Sequence, residues 1–313
     1  MAELTLVIGN YEGERFLEGC IESARGQTLA PSEIIVVDAD SKDGSRDLAA
    51  RLGARVLHVE NRGLAFLYDC GVEASATAYV MLANTDVVFD PRCFEVLAAV
   101  LEGDPSAFAA DPRQLDWEGR HVVHAHTTIR RGPLFHELFP GFTLDHVVAV
   151  DTQRPTASAH GAAMLVRRSM FEALGGFDKT FFLDFEDLDL CWRAWLRGWE
   201  SIYAPDAFLR HHVAGVTSAS VAPRRQASAH HNLVRFALKC LPASAAATVV
   251  AGELLRLPAH PRAIAQALLA VARELPEILR TRARIRPSTE LLTWMLSGQP
   301  GRPPTAGTDA ATR

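Results

Sequence analysis

Four carboxylates stand within six residues, Asp184, Glu186, Asp187 and Asp189, in the stretch Leu183-Asp184-Phe185-Glu186-Asp187-Leu188-Asp189. A carboxylate can take the proton from an attacking hydroxyl or help hold a divalent cation. Asp184 and Asp187 lie three apart, as do Glu186 and Asp189, which puts the group on neighbouring faces of a helix start. Ordinary capping, with Asp184 as the N-cap and acids favoured by the helix dipole, explains one or two of them but not four. One of the four can serve as a general base. Crowding of like charges raises a carboxylate's proton affinity, while a helix N-terminus opposes that shift.

A second constellation is Asn84-Thr85-Asp86, directly after the apolar run Tyr79 to Ala83. Two oxygen-bearing side chains on a rigid strand end suit Mg²⁺ or Mn²⁺ shared with substrate phosphates. Taken alone, the same three residues also read as an Asx turn that closes the strand. Three other apolar runs end in polar residues: Asn10 and Glu12, Asp38 and Asp40, and Asn61. If all four runs are parallel strands, their polar ends share one rim, where ligands of such sheets bind.

The elements needed to build that rim are legible. Strands are expected at Leu4 to Ile8, Glu33 to Asp38, Arg55 to Val59 and Ala78 to Ala83. Helices are expected between them, up to Cys20 and Ile21, at Asp43 to Leu52 and at Gly63 to Ala74. This alternation predicts an α/β fold with a mainly parallel, Rossmann-like sheet covered on both faces. Further strands are expected at Gly161 to Arg167 and Ser201 to Ala204, with a helix at Glu186 to Arg197 and a less regular, histidine-rich stretch at 111 to 160. Neither G-x-G-x-x-G nor G-x-x-x-x-G-K-[ST] occurs, so a dinucleotide fingerprint and a P-loop are both excluded.

From about 222 only helices are expected, roughly 223–240, 243–256, 260–281 and 287–297, followed by a tail of disordered composition. The chain therefore divides into a catalytic region 1–220 (nucleotide-binding half 1–110, acceptor-binding half 111–220), a helical region 221–298 and a tail 299–313. A net charge of −5 gives no basic footprint for nucleic acid. The five cysteines are odd in number, widely spaced and without a C-x-x-C pair, which fits a reducing, cytoplasmic setting. The opening Met-Ala-Glu-Leu-Thr-Leu enters a strand at once, so no secretory signal is expected.

The block Gly175-Gly176-Phe177-Asp178 through Glu186-Asp187-Leu188-Asp189-Leu190-Cys191 resembles glycosyltransferase family 2 of the GT-A fold, the broad group that includes bacterial rhamnosyltransferases. The likeness extends from residue 4 to about 240 and implies an inverting transfer of a sugar from a nucleoside diphosphate to an acceptor hydroxyl. By that resemblance Gly9, Asn10, Tyr11, Glu12 and Asp38 hold the nucleoside, with Asp40 in the Asp-Ser-Lys-Asp-Gly-Ser stretch and Asn61 and Gly63 in the N-x-G turn. The family's D-x-D motif falls on Asn84, Thr85 and Asp86, so Asp86 is the implied ligand of Mn²⁺ or Mg²⁺ and Asn84 a neutral contributor. A histidine after a later strand completes that site; spacing favours His211, with His212 as the alternative. The Glu186-Asp187 pair supplies the implied base, Asp187. His160 and Gly161 match the segment lining the acceptor side, and Phe182 and Asp184 are placed with them. The donor guess is dTDP-rhamnose or a UDP-hexose; the acceptor is a glycan, a lipid-linked sugar or a small molecule.

Other readings remain beside this one. A sugar nucleotidyltransferase would need a basic, glycine-rich loop after the first strand, where this chain has Gly-Asn-Tyr-Glu-Gly-Glu. A non-catalytic carbohydrate-binding relative would have lost Asp86 or Asp187. His121, His124 and His126, with His136 and His146, invite a zinc reading that no cysteine supports. Trp192, Trp195 and Trp199 follow helical spacing and read as core, whereas Phe181 and Phe182 are expected to face substrate. The C-terminal helices read as a packed cap, and Leu275, Ile278 and Leu279 beside Arg273, Arg280, Arg282 and Arg284 leave peripheral membrane contact as the alternative.

Overall fold

The apolar runs that punctuate the first half become strands buried on both faces. In the computed structural model, which describes residues 3–131, 142–148, 150–213 and 222–298, the chain order is β1 (Leu4–Asn10), α1 (Glu14–Arg25), β2 (Glu33–Asp38), α2 (Ser45–Arg51), β3 (Arg55–His58), α3 (Leu64–Ala74), β4 (Tyr79–Asn84), β5 (Val87–Phe89) and α4 (Cys93–Gly103). Then follow β6 (Ala107–Leu115), β7 (Val122–His124), β8 (His126–Arg131), β9 (Phe142–Val148), β10 (Arg154–Pro155), β11 (Ala163–Arg167), α5 (Arg168–Leu174), α6 (Glu186–Trp195) and β12 (Glu200–His211). Four helices close the chain: α7 (Ala222–Cys240), α8 (Ala243–Arg256), α9 (Pro261–Ile285) and α10 (Thr289–Ser297).

The main sheet runs β10-β12-β6-β11-β4-β1-β2-β3, with β5 on β12 and β7 on β6. Its first half, β3-β2-β1-β4, is parallel throughout. Antiparallel β11 joins that half to the parallel pair β6 and β12. Alternation along β1 shows why both faces are dry. Leu6 and Ile8 point into a core shared with α1 and α4, and Val7 points into the opposite core with α3 and α6. Each such buried side chain contributes about 1.5–3 kcal/mol of transfer energy before chain entropy is subtracted.

A third core belongs to the helices. Phe181, Phe185, Leu188, Trp192 and Trp195 pack with Leu233, Phe236 and Ala237 of α7 and with α8 and α10. Trp192 and Trp195 are therefore core, and half-buried Trp199 packs at the second core's edge, as their spacing predicts. Phe181 is core too, fully buried under the Lys239 ammonium, so the expectation that it faces substrate does not hold. On α9, Ile278 is buried against Val234 and Val271, and Arg282 turns inward to the carbonyls of Leu238 and Leu241. Neither belongs to an outer basic face.

Two elements depart from expectation for a physical reason. The strand expected at Ser201 to Ala204 runs on to His211, across an irregularity between Ala204 and Phe208 where Pro205 interrupts pairing. The stretch from 111 onward, expected to be less regular, begins inside β6. Asp111 and Gln114 on that strand are fully buried polar residues, so hydropathy alone hides it. His136 and the tail 299–313 lie outside the described residues, and of His146 only the backbone is described. Among the described residues, no helix is long and apolar enough to cross a membrane.

Candidate functional site

The rim is built first by strand ends that bond to one another. Asn10 at the end of β1 donates through Nδ2 to Asp38 Oδ2 at 2.6 Å and to Ser41 Oγ at 3.3 Å. Asp38, fully buried at the end of β2, also accepts from the Ser41 amide at 3.0 Å and has the Arg46 guanidinium 3.7 Å away. Glu12 (φ 53) donates its amide to Ser41 Oγ and accepts from the Lys42 amide at 2.7 Å. Asp40 (φ 58) points to solvent between Lys42 and His58, and its hydrogen bond to Lys42, then that to His58, holds its carboxyl below the usual range. Gly9 lies where a Cβ would meet Leu64 at 3.0 Å, and half-buried Tyr11 packs at the edge of the second core.

Beside β1, β4 delivers the motif at 84–86. Thr85 donates through Oγ1 to the Gly9 carbonyl at 3.0 Å, tying the two strand ends together. Asp86 is buried, with His211 Nε2 3.5 Å from its Oδ1. The other ring nitrogen of His211, Nδ1, lies 2.9 Å from Gln114 Oε1. With Gln114 Oε1 as acceptor, Nδ1 donates to it and the Nε2 lone pair faces Asp86, the tautomer a metal-binding imidazole needs. His212 contributes its backbone amide to the Asp86 carbonyl, while its ring packs against Phe16 and Trp117. Asn84 Oδ1 sits 3.0 Å from the Tyr68 hydroxyl, which also lies 2.8 Å from the Gly161 carbonyl. Burial, then the charges of Glu186 and Asp86, push the Tyr68 phenol well above its usual value, so it stays protonated as a donor.

The acceptor side enters through the β4–β11 pairing. The Asn84 amide donates to the Ala162 carbonyl at 2.9 Å, so His160 and Gly161 lie alongside the strand end that carries Asp86. Gly161 donates its amide to Asp187 Oδ2 at 2.8 Å. A Cβ at Gly161 would stand 3.3 Å from both Asp187 Oδ2 and Glu186 Oε1, so a larger residue would push on both carboxylates. His160 donates its amide to the buried Asp111 Oδ1, and its ring stacks 4.4 Å from that of His124, itself hydrogen-bonded to Asp111.

The four clustered carboxylates separate into different environments. Asp189 is fully buried between Arg193, 2.8 Å away, and Lys239, 2.7 Å away, and serves packing. Asp184 is not the N-cap: that position is Phe185, which makes no side-chain cap hydrogen bond. Both Asp184 (φ 68) and Phe185 (φ 74) are left-handed, a conformation that costs a non-glycine residue roughly 1–2 kcal/mol and that precludes the extended geometry of a capping aspartate. Buried Asn232 of α7 holds this turn, donating through Nδ2 to the carbonyls of Leu183 at 3.0 Å and Asp184 at 2.9 Å. Glu186 and Asp187 are left facing Gly161.

The sequence profile described as "Glycosyl transferase family 2" matches residues 5–175, more than half of the chain. The chain belongs to glycosyl transferase family 2. A relative from Mycobacterium tuberculosis, N-acetylglucosaminyl-diphospho-decaprenol L-rhamnosyltransferase, is 28% identical over 251 residues, 73% of this chain and 81% of that one. Among solved structures, a mannosyltransferase from Pyrobaculum calidifontis in complex with GDP-Man and Mn²⁺ superposes with a TM-score of 0.55 at 17% identity, covering 94% and 83% of the two chains. GalNAc-T7 with UDP, GalNAc and Mn²⁺ gives a TM-score of 0.61 at 14% identity over 78% of this chain and about half (49%) of that one. These likenesses share the GT-A fold with this glycosyltransferase.

For this family 2 enzyme the structure gathers Gly9, Asn10, Asp38, Thr85, Asn84, Asp86 and His211 along one rim, with Gly161, Glu186 and Asp187 beside it. Asn61 and Gly63 form the neighbouring turn. Gly63 (φ 96) is pressed against the Phe182 carbonyl so closely that a Cβ would stand 2.1 Å from it, and half-buried Phe182 lies at that junction. Tyr68, Asp111, Gln114 and Asn232 were missed in the sequence; for Asp111 and Gln114 the signal was polar residues that follow the apolar run 107–110 and continue the same strand. The zinc reading fails for His124 and His126, which bond separately to Asp111 and the Pro155 carbonyl. Among the described residues, no group of three or more His, Cys, Asp or Glu could hold a metal.

Proposed function

We propose that this glycosyltransferase moves a sugar, with inversion, from a nucleoside-diphosphate donor to an acceptor hydroxyl, using Asp187 as the general base. The observation that carries this reading is the pairing of β4 with β11. It sets Asp187, on the Gly161 amide, beside the end of β4 that leads into Asp86, whose carboxylate meets His211 from the end of β12. An inverting displacement needs a proton acceptor on one face of the anomeric carbon and a diphosphate-stabilising group on the opposite face.

A divalent ion, Mn²⁺ or Mg²⁺, fits the donor set of a carboxylate and a tautomer-fixed imidazole, with Asn84 nearby and phosphate oxygens completing the shell. When bound it supplies charge to offset that growing on the departing diphosphate. Of the two adjacent histidines, His211 is the ligand. The chain's own residues do the rest. Asp38 fixes Asn10 and Ser41 so that the rim from Gly9 to Glu12 receives the nucleoside. Gly161 N–H aims the Asp187 carboxylate, which accepts the acceptor's proton as its oxygen attacks. His160 and Phe182 border the acceptor.

The donor reading is dTDP-rhamnose ahead of a UDP-hexose, and the acceptor reading a lipid-linked sugar, both supported by the 28%-identical rhamnosyltransferase. The test is thermal stabilisation by UDP, dTDP, GDP and CMP, each with and without Mn²⁺, in the wild type and in Asp86→Ala. A shift that needs one diphosphate together with Mn²⁺ and disappears in Asp86→Ala is expected. No shift with any nucleotide would return the chain to the non-catalytic reading.

A further inference from the structure

Helix α9 presents three longitudinal stripes. Ile264, Ala267, Val271 and Ile278 face inward, packed with α7 and α8. On the outside, Ala265, Leu269, Ala272, Pro276, Leu279 and Ala283 follow one another at alternating steps of four and three, which keeps them on one face, and all six are exposed. Leu269 and Leu279 are more than half exposed, at 54% and 52%, and Leu275 borders them. The helix α8, packed on α9, adds exposed Leu254 and Leu255. A surface leucine by itself means nothing, but a continuous apolar stripe does.

The third stripe decides what covers the second. Arg262, Arg273, Arg280 and Arg284 run along its edge, all exposed, spanning about 33 Å of helix at 1.5 Å per residue. Among the described residues, none of the four forms an ion pair. The acids of α9 lie on the other side: Glu274 pairs with His231 and Arg235 of α7, and Glu277 with Arg235. An apolar stripe edged by unneutralised arginines is complementary to a layer that is apolar within and anionic at its surface. A second copy of this chain is a poor match, because the same face would oppose arginine to arginine with its acids already engaged.

We propose that the outer face of α9, together with Leu254 and Leu255, rests on a bilayer whose headgroups are anionic. The face is rigidly tied to the catalytic loop, since Arg235, which binds Glu274 and Glu277, also binds Asp178 ahead of the Glu186-Asp187 turn. Docking therefore fixes the enzyme at the surface without reshaping the site.

The test is co-sedimentation of the full chain with vesicles of phosphatidylcholine alone and with vesicles that also contain phosphatidylglycerol. Binding is expected only to the anionic vesicles and should weaken as salt rises. Arg273→Gln and Arg280→Gln should each lower partitioning about fivefold, the worth of one arginine at an anionic surface. Leu269→Ser and Leu279→Ser should each lower it about tenfold, with unchanged melting temperatures because both side chains are exposed. Absence of binding, equal binding to neutral vesicles, or wild-type binding by all four variants would overturn the proposal. So would a concentration-dependent dimer in sedimentation equilibrium that Leu279→Ser dissolves, which would give the face to a second copy. Vesicle binding is read without substrate, so its failure leaves the reading of the catalytic site untouched.

Discussion

The rim from Gly9 to Asp86 and the loop from Phe181 to Asp187 both position functional oxygens, and they do it in opposite ways. At the rim, neighbours within the first 90 residues hold one another: Asn10 with Asp38 and Ser41, Thr85 with Gly9. The strands beneath are pinned by two dry cores, so the side chains need only short reach. The loop sits instead on the third core, shared with α7. It contains two successive left-handed residues, and its shape is imposed by α7 through Asn232, Arg235 and Lys239. Burial alone would raise the Asp178 carboxyl; Lys239 and Arg235 overcome that and hold it well below the usual range. The comparison teaches that the helical region holds the turn that carries Asp187, the proposed base, and does more than cap the fold. The family profile ends at residue 175, before that frame begins.

The sharpest way to break this comparison is at the loop's product, Asp187. Asp187→Asn removes the proton acceptor and should cut kcat by roughly two to four powers of ten. The nucleotide-induced thermal shift should survive, because the rim does not depend on Asp187. Turnover near that of the wild type would remove Asp187 from the role of base. Next in size is Gln114→Leu on the rim side, which frees the His211 tautomer. Loss of an outer-shell partner of this kind typically weakens metal affinity about 10–100-fold. Titration of Mn²⁺, followed by the electron paramagnetic signal of the free ion, reads this without turnover; unchanged affinity would separate Gln114 from the metal site.

The two regions also differed in how much of them the sequence disclosed. The rim was legible because its residues sit where apolar runs stop, and a strand end is a local signal. Asp38, Asp86 and Asn10 could be placed from hydropathy and strand order. Asp111 and Gln114 escaped because they turn inward from a strand toward the site and look like the end of one. At the loop, the acids were visible but not their division of labour. Asp189 is consumed by Arg193 and Lys239, and Lys239 stands two elements away. Nothing about Asp184 and Phe185 announces a left-handed pair, since non-glycine residues seldom adopt it. That conformation exists because Asn232, brought in by tertiary packing, binds the carbonyls there.

Asn232→Leu tests that dependence directly. Three hydrogen bonds vanish, two to the carbonyls of Leu183 and Asp184 and one to His231, and the two carbonyls lose a buried partner, a cost of about 1–3 kcal/mol in stability. The informative result is the kinetic split: kcat should fall about tenfold while the donor KM and the nucleotide shift stay put, a mispositioning penalty smaller than the loss of the base itself. A fall in both, or in neither, would mean that α7 supports folding alone.

The smallest effect concerns the proton that steadies Asn232. The Nδ1 of His231 lies 2.9 Å from Asn232 Oδ1, and its Nε2 lies 2.9 Å from Glu274. A charged imidazole donates to both at once, whereas a neutral ring keeps one proton and serves only one. Burial lowers the proton affinity of His231, but the hydrogen bonds to Glu274 and Asn232 outweigh it and leave its pKa raised. Burial likewise raises Glu274, and the bond to His231, backed by Arg235, leaves it lowered. For a group with a raised folded pKa, the stabilisation is fully present below the unfolded value of about 6.5 and is lost as pH climbs through the folded value. Glu274 contributes above its unfolded value and loses that contribution as pH falls through its lowered one. The gap in melting temperature between wild type and His231→Gln should therefore be widest near pH 6 and narrow toward about pH 9. A gap that ignores pH across that range would show that the His231 proton takes no part in holding the loop.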